Sequence, residues 1–267
     1  MRENVIKVFK NTTLQPAENF LLRKIVHSKY IDIVGVILVL SICIYKDFHE
    51  TIFVNGKIQF GVPLSNFFNY VSEGAFPIGL LSTAGAVISL LAARMIVKQQ
   101  NLGNLIGVFT TINSGVIDYL FGNHSAVITY PLTFIIAIIA TKRWHYGERI
   151  KKADETDFLL VLIAFIVSYS LVYLGFYLFG TTIENTFFKH TVAIIFGISL
   201  VGNISTVFKY EQTFLTWSFY NIAQIIKNLI QGNLAYVVKH LFYLANAILT
   251  FFDWRLNGDL KLEKVKN

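Results

Sequence analysis

Trp217, Asn221, Gln224 and Asn228 follow one another at spacings of four, three and four residues, which on an α-helix places them on one face. An indole stacks on flat rings, and carboxamides one and two turns further on both donate and accept hydrogen bonds. The set therefore suits a heteroaromatic ring that carries amide or hydroxyl groups, as a nucleoside-like vitamin does. The alternative use of such residues is interhelical hydrogen bonding that holds a bundle together, and Asn228, near the end of its segment, fits that use better than the other three.

Other polar residues interrupt neighbouring apolar segments. Thr110, Thr111, Asn113, Ser114 and Asp118 fall in one segment, Tyr130 in the next, and His240, Tyr243 and Asn246 in the last. Tyr243 and Asn246, one turn apart, read equally as a ligand-facing pair or as packed core. Asp118 is one carboxylate with no evident partner, so water-facing placement is expected and ion coupling has thin support. Lys227 and Lys239 are expected to snorkel towards headgroups; a Lys239 turned into a pathway would disfavour a cationic ligand. His124, His145 and His190 fall near segment ends and are expected at the interface.

Several chemistries have no residues to carry them. The apolar segments hold no pair of acids and no H-x-x-x-H, the arrangements that metal-assisted or acid–base catalysis needs. A single cysteine, Cys43, permits no intrachain disulfide and no thiolate cluster. No enzyme activity, metal or cofactor is expected.

The elements that must position these residues are membrane spans. Of 267 residues, 54% are hydrophobic and only 15% charged, against roughly 25% charged in soluble domains, and mean hydropathy is +0.56. Phe158 to Gly180 is a run with no charge, and a spanning helix needs about 20 apolar residues. Similar runs cover roughly 28–45, 76–96, 102–121, 125–141, 187–207, 213–230 and 234–252. The fold class expected is an all-α integral membrane protein with eight transmembrane helices. Asp47 to Glu73, with Gly56, Gly61 and Pro63, is too broken to span and reads as an external loop or interfacial segment.

Lys and Arg placement sets the orientation. Eighteen of the 23 basic residues fall at the chain ends or in three loops on one side, which is therefore cytoplasmic, with both termini. The +7 formal charge is then a topology signal, and no nucleic-acid partner is expected. The start, MRENVIKVFKN, lacks the apolar core and small-residue site of a cleaved signal peptide, so these residues are expected to stay on the protein.

Residues 104–144 align without gaps to 214–254 at an offset of 110, with nine identities over 41 positions. Gly122-Asn123 meets Gly232-Asn233 and Trp144 meets Trp254; upstream, Ile88-Ser89-Leu90 meets Ile198-Ser199-Leu200. Both Gly-Asn pairs also serve as ordinary tight turns. Three helices per repeat and one linker helix give two parallel repeats about an axis along the membrane normal, the 3+1+3 plan of SWEET-type transporters. The divisions expected are 1–75 (cytoplasmic N-terminal segment, extra helix and external loop), 76–144 (first repeat), 145–185 (linker helix), 186–256 (second repeat) and 257–267 (cytoplasmic tail).

Over residues 76 to 256 the chain resembles the PnuC family of bacterial vitamin transporters. Members typically show W-x-x-W-x-x-x-N in the penultimate helix; here the stretch is Phe214-Leu-Thr-Trp217-Ser-Phe-Tyr-Asn221, with Phe214 at the first tryptophan. The Gly-bearing turns and the helices closing in Trp144 and Trp254 are the second point of likeness. The resemblance implies a cell-membrane carrier mediating facilitated diffusion of nicotinamide riboside, with direction set by intracellular phosphorylation, and a homotrimer. It also implies alternatives: a deoxynucleoside, thiamine or riboflavin. A SWEET-type sugar carrier and a non-transporting scaffold or sensor are further readings, although the latter leaves the Trp217 face without a ligand. The substrate-contacting set expected is Trp217, Asn221, Gln224, Asn113, Thr110, Tyr130, His240, Tyr243 and Asn246.

Overall fold

A computed structural model describes residues 16–46, 48, 50–144, 150 and 156–257. Ten helices and one two-stranded hairpin lie in these residues: α1 (Pro16–Val26), α2 (Lys29–Lys46), β1 (Ile52–Val54), β2 (Lys57–Gln59), α3 (Leu64–Ser72), α4 (Ile78–Val97), α5 (Asn101–Leu120), α6 (Ala126–Arg143), α7 (Thr156–Phe179), α8 (Thr186–Phe208), α9 (Thr213–Ile230) and α10 (Leu234–Asn257). The eight apolar runs read from the sequence correspond to α2 and α4–α10, with boundaries shifted by a few residues.

Four stretches, Ile78–Val97, Ala126–Arg143, Val161–Phe179 and Thr186–Phe208, are long and apolar enough to cross a membrane by length and composition. The other four expected spans are diluted for two reasons. Lys29, Asp32 and Lys46 punctuate α2, whereas α5, α9 and α10 carry the polar residues that face one another inside the bundle.

Packing is a ring in which α4, α5, α6, α8, α9 and α10 follow in order and α10 returns to α4. Outside it, α7 lies against α8 and α6, α2 against α4 and α10, and α1 against α10. Close helix approach needs small residues at the crossing. Gly85 of α4 lies directly under the Asn113 side chain, where a Cβ would overlap the amide.

The turns at the two ends of the bundle are built in matched pairs. After α5, Gly122 (φ +92°) and Asn123 donate to Tyr119 O and Asp118 O. After α9, Gly232 (φ +73°) and Asn233 donate to Leu229 O and Asn228 O. Each is a Schellman stop, whose left-handed residue favours glycine. At the opposite end, α4 and α8 both stop on a left-handed non-glycine residue, Gln99 (φ +57°) and Lys209 (φ +56°). Their amides donate to Ile96 O and Thr206 O, and those of Gln100 and Tyr210 to Met95 O and Ser205 O.

The two closing tryptophans bind crosswise at that same end. Trp144 Nε1 donates to Thr206 O (2.7 Å) and Trp254 Nε1 to Val97 O (3.2 Å). Trp144, closing α6, is thus tied to α8, and Trp254 of α10 to α4, so the helix triplets α4–α6 and α8–α10 are joined crosswise. A cluster of Val97, Trp144, Phe214, Phe251 and Trp254 fills the space between them.

Residues 50–73 form more regular structure than the broken loop expected of this stretch. β1 and β2 pair antiparallel, Ile52 with Gln59 and Val54 with Lys57, around an Asn55-Gly56 turn with φ of +51° and +77°. Two consecutive left-handed residues match the right-handed strand twist, which is why Asn-Gly closes such hairpins. The amphipathic α3 packs on it, with Ile52, Val62, Phe67 and Ala75 as a small separate core.

Candidate functional site

Inside the helix ring lies a cavity of about 280 Å³, at the lower edge of the roughly 300–1,000 Å³ typical of small-ligand sites. All six ring helices line it. It runs from Ile96, Asn104, Ala140 and Thr206, near the tryptophan end, to Asp118 and Lys227, near the Gly-Asn end.

The α9 face supplies its densest polar wall. Trp217 packs its ring over Gly202, where a Cβ would stand 3.1 Å from the indole, and donates Nε1 to Thr206 Oγ1 at 3.3 Å. One turn on, Asn221 Nδ2 donates to Trp217 O (2.7 Å), leaving Oδ1 to accept from His240 Nδ1 at 2.8 Å. That pairing assigns the proton to Nδ1. Gln224 Nε2 donates to Tyr220 Oη (2.7 Å), and Tyr220 stands edge-on to Trp217 with centroids 5.1 Å apart. Asn228 donates to Gln224 O at 2.7 Å and lies beyond the main cavity.

Of the nine residues expected to contact substrate, eight line the cavity: Trp217, Asn221, Gln224, Thr110, Tyr130, His240, Tyr243 and Asn246. Asn113 does not. It points into the α4 contact, with Nδ2 3.5 Å from Leu81 O and Oδ1 buried without a hydrogen-bond partner. Three residues after Thr110 on α5, it falls on the flank occupied by α4. Tyr243 and Asn246 line the cavity and are also tied into the packing around it. Tyr243 shares a 2.8 Å hydrogen bond with Ser89, and Asn246 Oδ1 accepts from Arg94 Nη1.

The charged residues depart most from expectation. Asp118 is buried and not water-facing, and it has partners. Lys227 Nζ donates to its Oδ1 (2.7 Å), while Asn123 Nδ2 (2.6 Å) and Tyr130 Oη (3.3 Å) reach Oδ2. Lys227 therefore does not snorkel, because a carboxylate within the bundle offers more than the headgroup region does. Lys239 is buried too, its ammonium 3.5 Å from the Tyr236 ring centroid and 5.8 Å from that of Tyr243. Arg94 is held at the tryptophan end by Asp32 (2.6 Å), Asn246 and Val26 O. His124 and His190 sit at helix ends, His124 Nδ1 against Phe179 O at 3.0 Å; His145 lies outside the described residues.

Sequence reasoning missed Tyr220, Ser89, Ser199, Asn203 and Thr206, all of which line the cavity. Two signals pointed to three of them. Tyr220 lies three residues after Trp217 and four before Gln224, the spacing of a shared face. Ser89 and Ser199 are matched by the 110-residue offset and are the only polar members of the triplets that match there.

Among the described residues, no group of three or more His, Cys, Asp or Glu side chains is placed to hold a metal ion. What the site offers is aromatic surface, carboxamides, hydroxyls, the Asp118–Lys227 ion pair and the Lys239 ammonium.

Comparison with known proteins adds three findings. A family model described as nicotinamide mononucleotide transporter matches residues 79–256. A solved structure titled "Crystal structure of the Vitamin B3 transporter PnuC" superposes with a TM-score of 0.58 at 15% sequence identity, covering 85% of this chain and 91% of that one. At that identity the likeness is one of fold. No curated protein matches the sequence significantly.

Proposed function

The chain belongs to the nicotinamide mononucleotide transporter family, a family of membrane transporters, and from that premise we propose that it carries nicotinamide riboside by facilitated diffusion. Direction comes from phosphorylation of the substrate inside the cell. The observation that carries this reading is the α9 wall of the central cavity. Its Trp217 indole presents ring surface at one level, and Asn221 and Gln224 offer amide donors and acceptors one and two turns on. A nicotinamide ring stacks on the first and satisfies its carboxamide at the second; the ribose hydroxyls fall to Thr110, Tyr130 and the serines of α4 and α8.

The proposal includes the full topology. α2 and α4–α10 make eight spans, both termini are cytoplasmic, and α7 links two parallel three-helix repeats. The matched Schellman stops, the left-handed Gln99 and Lys209, and the crosswise tryptophan bonds support the repeat, since each recurs near the 110-residue offset. Transport then proceeds by rocking of the two triplets about the cavity.

A second reading is a neutral deoxynucleoside. Lys227 and Lys239 both line the cavity with Asp118, and ammonium groups there disfavour a cationic nicotinamide. Calorimetric titration of the purified protein with nicotinamide riboside, thymidine, thiamine, riboflavin and glucose separates these. Saturable binding of nicotinamide riboside, at least tenfold tighter than thymidine, is expected; thymidine binding with no heat from nicotinamide riboside would replace the first reading with the second.

A further inference from the structure

The α5 and α9 helices are not packed against each other along their length, yet their Gly-Asn ends are bridged. Lys227 Nζ reaches Asp118 Oδ1 at 2.7 Å, and Gln231 Nε2 donates to Phe121 O at 3.1 Å. A small polar chamber of about 60 Å³ lies at this level and shares Asp118, Gln224 and Lys227 with the main cavity. At the opposite end the main cavity extends to Ile96, Ala140 and Thr206. The polar crossing thus spans the Gly-Asn end of the cavity.

The β1–β2 hairpin lies against the same end. Ile58 of β2 packs on a cluster of Ile78, Ile117, Phe121 and Tyr236, drawn from α4, the α5 end and α10. Phe60 meets the Phe121 ring at 6.0 Å. Backbone bonds between Phe53 and Phe76 in both directions (2.9 Å each), and from Gly79 N to Thr51 O (2.9 Å), fasten the hairpin to the start of α4. The hairpin and α3 have their own core, separate from that of the helix ring. Residues 52–76 fall outside the family-matched region, which begins at 79.

We propose that residues 52–76 form an external lid seated by Ile58 across the two triplets, over an Asp118–Lys227 latch, and that both must release before substrate reaches the cavity from outside. The inference rests on the transporter reading, but it is tested without any substrate. The latch joins the first triplet to the second through a charge pair at low dielectric, where attraction is strong and directional. The lid adds apolar contact that touches both sides of the closure. Two such closures, broken together, give a gate with two discrete positions.

The test is the rate at which an impermeant thiol reagent, applied from outside or inside, labels Ser114→Cys in a Cys43→Ala background. Ser114 lines both the cavity and the chamber. With the open form a minor state of about 0.1–10% of molecules, labelling from outside is slow. Ile58→Ser, which leaves the ion pair untouched, and Asp118→Asn or Lys227→Met, which leave the lid untouched, should each raise the outside rate by about tenfold or more. An outside rate in the parent as fast as that of a cysteine on the exposed surface would overturn the proposal. So would outside rates within twofold of the parent in Ile58→Ser and in whichever latch variant remains monodisperse. Failure of nicotinamide riboside to bind would overturn the substrate reading and leave this result standing.

Discussion

Each residue of the α9 wall is engaged before any ligand arrives, so substitutions there act on both binding and fold. Trp217 packs on Gly202 and bonds Thr206. Ring stacking is worth about 1–3 kcal/mol for a heteroaromatic base, so Trp217→Ala should weaken nicotinamide riboside by about 5- to 150-fold in a calorimetric titration. Unchanged affinity would return the indole to a packing role. Asn221 satisfies His240 inside the bundle, and removing one partner of a buried hydrogen bond costs about 1–3 kcal/mol. Asn221→Ala should therefore lower the melting temperature in detergent, whereas Asn221→Ala combined with His240→Leu should lower it less. Phe214, at the first tryptophan of the family pattern, is buried edge-on to Trp254 with centroids 4.8 Å apart.

At the scale of elements, the turns carry the clearest stability predictions. Gly122 and Gly232 both adopt left-handed backbone, which costs an L-residue about 1–2 kcal/mol. A Cβ at Gly122 would also meet Thr182 Oγ1 at 2.2 Å, while at Gly232 it meets nothing within 4 Å. Gly122→Ala should thus be the more destabilising of the two in thermal denaturation, and equal losses would contradict this geometry. Helix existence was legible because apolar runs of this length have few other solutions; the eight runs correspond to eight helices. The polar face of α9 was legible for a related reason, since period alone puts Trp217, Asn221 and Gln224 together. The hairpin was missed and read as loop, because its strands are three residues each, too short for an alternating pattern, and only the Asn55-Gly56 turn marked it. Asn113 escaped because spacing along α5 does not say which flank α4 will occupy.

At the scale of the whole molecule, the charged contacts depend on helices distant in sequence. Asp118 and Lys227 are 109 positions apart and Arg94 and Asn246 are 152 apart, so nothing local announced either pair. The offset of 110 held a hint. Phe121 and Gln231 are aligned by it and touch, the contact expected if an axis relates the two proposed repeats, and Asp118 lies one residue from the mate of Lys227. The same relation predicts that Trp144→Phe and Trp254→Phe, which each remove one crosswise hydrogen bond, cost similar stability, about 1 kcal/mol each. A melting-temperature loss confined to one of them would argue against two equivalent triplets.

The central claim is passive carriage of nicotinamide riboside with trapping by phosphorylation. Uptake of the labelled compound into proteoliposomes, with and without an enclosed nicotinamide riboside kinase and ATP, tests it most directly. The account predicts equilibration without the kinase, accumulation above the external concentration with it, and no dependence on an imposed sodium or proton gradient. Accumulation without the kinase under an ion gradient, or uptake no faster than in protein-free liposomes, would contradict it.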